Sequence, residues 1–215
     1  MFSLKGATNL NHVNQLAKSY QMEFSLDLRP KSFNFTQSKN IINIINSASV
    51  HSVFYLMFEN EKPFMVKNIY QEIINQTEKD RHIFLEFTGQ TSIEELDSFG
   101  IPYSWHYHSD ERIGNLENAK YLKKLIFNHN HLTEYYEKGE LFGFLNLFSD
   151  LDEKIEFELL INWDTNFIYS LFDLIKISTI SIEINNLVEL SYQNVDINQV
   201  DLFFKTLEKD LNIKG

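Results

Sequence analysis

The chain has 215 residues, 43% of them hydrophobic, enough for the core of one large domain or two small ones. Thirty acidic against 19 basic residues give a formal net charge of -11, and a surface this negative repels DNA, RNA and anionic lipid. The lack of cysteine excludes disulfides, thiolate metal sites and thiol catalysis. No apolar run reaches signal-peptide or bilayer-spanning length, so a soluble, cytoplasmic protein without nucleic-acid or membrane partners is expected.

The opening "LKGATN" reads as a short strand over 2–5, a tight glycine step and a helix start at Thr8 or Asn9. The helix that follows, "NLNHVNQLAKSY", places Leu10, Val13, Leu16 and Ala17 on one face. A strand over 23–28 precedes "SKNIINIINSA", with Ile41, Ile44, Ile45 and Ala48 on one face. A strand over 51–58 precedes "MVKNIYQEIINQ", with Val66, Ile69, Ile73 and Ile74. Strands over 83–87 and 103–107 come next, then a helical pattern in "LENAKYLKKLIF". "NHNHLTEYYEKGE" reads as polar loop, 141–148 as the sixth strand, and "SDLDEKIE" as too short and acidic for a convincing sixth helix. Strands over 157–161 and 180–184 and helices in "NFIYSLFDLI" and "NQVDLFFKTLEKDL" complete the pattern. Eight strands alternating with helices predict a single α/β domain over 1–215, a small (β/α)8 barrel that is degenerate around strand and helix six. An open doubly wound sheet is the competing fold.

Two stretches carry a resemblance. In "SLKGATNLNHVNQLAKSYQMEFSLDLRPKSFNF", Gly6, Thr8, Asn9, Pro30, Lys31 and Ser32 match the K-I-C-G-x-T-N and P-K-S-P-R steps of one family in place and spacing. In "ISIEINNLVELSYQNVDINQVDLFF", Val188, Glu189 and Asp196 match its D-V-S-S-G-V-E strand and the later Asp. "SVFY" and "LEFTG" resemble its third and fourth strands. The chain thus resembles, over nearly its whole length, phosphoribosylanthranilate isomerase, the barrel enzyme of tryptophan biosynthesis. The resemblance implies a TIM barrel, an Amadori isomerisation of a phosphoribosylated aromatic amine, no cofactor, a phosphosugar-type ligand and a monomer or homodimer.

Against that pattern the site is rebuilt. Lys5 occupies the position of the family's Cys base, and an ammonium cannot accept a proton unless its pKa falls by several units. Asn146 lies near the expected position of the family's Asp acid, with Asp150 following. Asn34 replaces the family's Arg, and Thr88 its fourth-strand His. Phosphate would sit after strands seven and eight, at Asn162, Asn185 and Asn186, where Leu187 replaces a glycine. The resemblance therefore implies an isomerase-like chain with little of the family activity. It is either an enzyme acting weakly or on a related sugar phosphate, or a non-catalytic barrel (a pseudoenzyme) that binds a ligand or a protein.

Three further groupings bear on the site. Asp27 and Arg29 share one side of the second strand, as a charged pair either in the barrel mouth or on the helix layer. Lys5 is expected to pair with Asp27 or Glu183. His106 and His108 share one side of the fifth strand, as in an H-x-H metal pair; a divalent-metal hydrolase is the third functional reading. Polar lining of a barrel mouth is the simpler account, with His129 and His131 in a solvated loop and Trp163 as a possible ring platform.

Overall fold

The first turn forms as its residues dictate. Gly6 takes φ +77°, a left-handed conformation that favours glycine, and its N–H donates to Ser25 O at 2.8 Å. Asn9 then caps α1 (Leu10–Ser19), its side chain accepting from the Asn11 N–H. The computed structural model describes residues 1–108, 116–151, 154–163, 169–191 and 194–211. The strands are β1 (Phe2–Lys5), β2 (Met22–Asp27), β3 (Val53–Phe58), β4 (His82–Phe87), β5 (Tyr103–His106), β6 (Leu122–Asn128), β7 (Glu156–Ile161) and β8 (Ile177–Glu183). All eight pair in parallel in chain order, and β8 returns to β1 through Phe2↔Ile180 to Lys5↔Glu183, closing a barrel.

Between the strands lie α2 (Ser38–Ser47), α3 (Pro63–Gln76) and α4 (Ile93–Asp97). Beyond β6 come α5 (His129–Glu137), α6 (Leu141–Asn146), α7 (Leu171–Leu174) and α8 (Ile197–Asp210). A two-stranded antiparallel hairpin, β9 (Glu189–Ser191) and β10 (Asn194–Val195), separates β8 from α8. The helix layer packs on the outer face of the barrel through Leu4, Phe24, Leu26, Phe54, Leu56, Leu85, Leu125 and Leu159, all buried. Phe2 meets Phe204 of α8 with ring centroids 4.7 Å apart.

Strand six departs from the sequence expectation. The run 141–148 is not a strand; 141–146 forms α6, which buries Leu141, Phe144 and Leu145. The true sixth strand comes earlier, from residues whose pattern reads as helical, and the polar 129–137 is helix rather than loop. The cause is Lys124. It faces the barrel interior and is fully buried, so a charged residue occupies an inward position where an apolar one is expected. The repeat is irregular here because two helices follow β6 where one is usual.

Candidate functional site

The alternate, inward residues of the strands are not the branched apolar layers common in such barrels. Glu23, Lys124, Glu158, Lys5 and Glu86 instead form a buried chain of charges. Lys124 pairs with Glu23 across the barrel and lies 3.3 Å from Glu158 Oε2. Lys5 Nζ lies 2.7 Å from Glu158 Oε1 and donates to Glu86 Oε1 at 2.9 Å. Ser25 Oγ donates to Glu86 Oε2 at 2.6 Å, and His106 Nε2 lies 2.7 Å from Glu86 Oε1. Glu23, Glu86, Lys124 and Glu158 escape sequence reasoning because each is a charge set into an otherwise largely apolar strand; Glu86 in "IFLEF" and Lys124 in "LKKLIF" carry that signal.

Burial works against both lysines, but Glu158 and Glu86 outweigh it at Lys5, as Glu158 and Glu23 do at Lys124, and both ammoniums are held above their ordinary range. Burial also pushes Glu86 up, but Lys5, His106 and Ser25 bring it below the usual carboxylate range. Glu158 is lowered against burial by the two lysines. At Glu23 burial prevails over Lys124, and the carboxyl is raised. Lys5 is therefore a cation with both neighbours engaged. Its partners are Glu86 and Glu158, not Asp27 or Glu183 as expected.

Asp27 and Glu183 hold Arg29 instead, in the barrel mouth. The guanidinium donates to Asp27 through Nε at 2.9 Å and Nη2 at 2.6 Å, and to Glu183 Oε1 at 2.9 Å. Its side chain is 17% exposed, whereas that of Asp27 is fully buried. Arg29→Met is expected to cost about 2–3 kcal/mol, because it strands the Asp27 charge; urea unfolding of the two proteins at pH 7 measures it, and a cost under about 0.5 kcal/mol would show the pair to be dispensable.

Asn34 is not available as a substrate-binding residue would be, because its side chain is used within the fold. It is buried, and its Nδ2 donates to Ile184 O at 2.8 Å, tying the loop after β2 to the end of β8. Asn146 and Asp150 are corrected as well. They lie at the end of α6 and in the turn beyond it, both exposed, because the strand on which they were placed is a helix. The residue that ends β6 is Asn128, which caps α5 by accepting from the Asn130 N–H.

Around strands seven and eight, Asn162 donates to Asn130 Oδ1 at 2.9 Å, Asn185 accepts from the Leu187 N–H at 2.9 Å, and Asn186 is exposed. Leu187 is 62% exposed. The Trp163 indole is partly buried and donates to Glu183 O at 2.8 Å. The arrangement between β8 and α8 is the β9–β10 hairpin.

Open space lies beside the occupied mouth, at the carboxyl ends of β4, β5 and β6. A cavity of about 500 Å3 is walled by Thr88 and Gln90 beyond β4 and by His106 and His108 on β5 and just past it. Ile126 and Asn128 of β6 and Asn130, His131 and Glu134 of α5 continue the wall. His108 Nε2 lies 3.0 Å from Thr88 O. His131 is thus on a helix rather than in a loop. No three His, Asp or Glu residues among those described are grouped to hold a metal ion.

A scan of protein-family models gives no match to the chain, and a search of curated proteins gives none either. Solved structures do match. A phosphoribosylanthranilate isomerase in complex with reduced 1-(o-carboxyphenylamino)-1-deoxyribulose 5-phosphate superposes with TM-score 0.69 at 14% identity, covering 97% of this chain and 98% of that one. TrpF from Jonesia denitrificans gives TM-score 0.71 at 9% identity over 99% and 98% of the two chains. The isomerase from Thermotoga maritima gives 0.67 at 13% over 97% and 98%. At these identities the likeness is one of fold, and it covers the barrel from end to end.

Proposed function

We propose that this chain descends from the phosphoribosylanthranilate isomerase barrel, has given up the family's Amadori isomerisation, and serves as a small-molecule-binding barrel. The observation that carries this reading is the state of Lys5. A base must have a lone pair to take a proton, and this amine is held protonated between Glu86 and Glu158 with 1% of its side chain exposed. Two further features agree with it. The residue ending β6 is Asn128, whose amide cannot supply a proton to a ring oxygen. Arg29, the cation in the mouth, is already bound by two carboxylates and has little charge left for an anionic ligand. No described helix is long and apolar enough to cross a membrane.

The test is an isomerase assay on the purified chain with N-(5-phosphoribosyl)anthranilate, followed by the loss of substrate fluorescence, beside complementation of a tryptophan auxotroph lacking the isomerase. Neither turnover above background nor growth is expected. Growth, or turnover that scales with protein concentration, would return the chain to the family reaction.

A further inference from the structure

The buried charge chain ends at the cavity. Glu86 receives hydrogen bonds from Lys5 and Ser25 and stays ionised, so it has no proton to share with His106. The hydrogen on the 2.7 Å contact therefore belongs to Nε2 of His106. The same logic holds two residues on. His108 Nε2 faces the carbonyl of Thr88 at 3.0 Å, and a carbonyl only accepts. Thr88 lies two residues past Glu86, just beyond the end of β4, and His108 two past His106, just beyond the end of β5, so the two contacts run in step at the carboxyl ends of neighbouring strands. In the neutral imidazole each Nε2–H leaves the lone pair on Nδ1, and neither Nδ1 meets a partner among the described residues. Both rings line the cavity.

The remaining wall is mostly polar and hydrogen-bonding. Asn128 and Asn130 offer amide N–H groups, and Glu134 adds a carboxylate. No lysine or arginine lines the cavity among the described residues, and the whole chain carries a net charge of -11. Such a wall disfavours a phosphate or carboxylate ligand and suits hydroxyl groups, which donate to acceptors and accept from amides.

The geometry points to a binding site for a neutral, polyhydroxylated small molecule of the sugar or cyclitol class, between β4, β5 and β6, with His106 Nδ1 hydrogen-bonded to a ligand hydroxyl, which can donate or accept. This deepens the small-molecule-binding reading above and relocates the site from the mouth over β1, β2 and β8. Glu86 fixes the ring's orientation and tautomer, the usual role of a carboxylate behind a working imidazole.

The test uses the full chain labelled with 15N at histidine and titrated separately with D-ribose, D-glucose, myo-inositol and ribose 5-phosphate. A saturable shift of the His106 and His108 ring signals by at least one neutral probe is expected, with His12, His51 and His82 unmoved. His106→Gln should weaken that binding about tenfold, the loss of one good hydrogen bond. Asn130→Ala, an exposed change at the same wall, should weaken it too without touching the charge chain. No saturable ring shift with any neutral probe overturns the proposal, as does tighter binding of ribose 5-phosphate than of ribose, or unchanged affinity in both variants. An active isomerase assay would sink the previous reading while leaving these titrations to be decided on their own.

Discussion

Lys5→Ala is expected to lower the unfolding free energy by about 3–5 kcal/mol at pH 7, the usual cost of removing one partner from a buried ion pair. Lys5 is the central cation of the chain. Its loss leaves Glu86 and Glu158 facing each other in the barrel interior, with Lys124 and the partly buried His106 as their remaining basic neighbours among the described residues. Burying unpaired carboxylates is far more costly than losing the pair as a unit, because the desolvation remains while the attraction is gone.

The sign of the pH dependence follows. In the native protein Glu86 and Glu158 are depressed, so their contribution is present above their unfolded values and is lost as pH falls through the folded ones. Lys5 and Lys124 are raised, so theirs is present below the unfolded lysine value and is lost only as pH rises through the folded ones. Glu23 is raised and subtracts from stability above its unfolded value. The native chain should therefore hold a broad stability plateau from roughly pH 5 to 10. In Lys5→Ala, burial becomes the leading influence on both carboxylates and lifts them, so the profile reverses and stability rises as pH is lowered from 8 to 5. Urea midpoints at four pH values measure both effects. A loss below about 1 kcal/mol, or a variant profile parallel to the native one, would mean that the interior is hydrated enough to screen these charges.

Gly6→Ala is the second large effect, at about 3 kcal/mol. A left-handed conformation costs a residue with a Cβ roughly 1–2 kcal/mol, and crowding of a packed site adds about 1–3 kcal/mol. Here the new Cβ would lie 2.4 Å from Asn34 Nδ2 and 2.6 Å from its Cγ. The obstacle is a side chain pinned by its bond to Ile184 O, so it cannot simply swing away. The pair should therefore be coupled. Asn34→Ala alone loses one hydrogen bond, about 1 kcal/mol, and in the double variant the overlaps with Nδ2 and Cγ are gone, leaving only the milder one with the Cβ of residue 34 at 2.8 Å. The double-mutant cycle is expected to be less than additive by about 1 kcal/mol or more. Strict additivity would mean that the strain lies wholly in the backbone of Gly6 and that Asn34 plays no part in closing the mouth.

The two experiments bear on one feature, a barrel whose mouth over β1, β2 and β8 is occupied by its own side chains. Asn34 spans Gly6 and Ile184, and Arg29 spans Asp27 and Glu183. The open volume lies instead beside Thr88 and the histidines. A chain can keep the G-x-T-N and P-K-S turns for their folding role while the groups around them are reassigned. Gly6 and Asn9 provide a left-handed step and a helix cap, and Ser32 donates to Asp27. None of those roles requires a phosphoribosyl substrate.

Local pattern alone determined most of the architecture. One-face periodicity in 10–17, 41–48 and 66–74 matches α1, α2 and α3, and the short apolar runs match seven of the eight strands, because those signals depend only on which residues neighbour one another along the chain. The sixth strand and the chemistry of the interior were decided by tertiary structure. Lys124 spoils the pattern of β6 in sequence and is tolerated only because Glu23 and Glu158, over a hundred positions before it and more than thirty after it, meet it inside the barrel. In the same way, nothing local to Lys5 names Glu86 and Glu158 as its partners. Strand closure brings β4 and β7 to β1, and a charge pairs with whatever the folded interior places within reach.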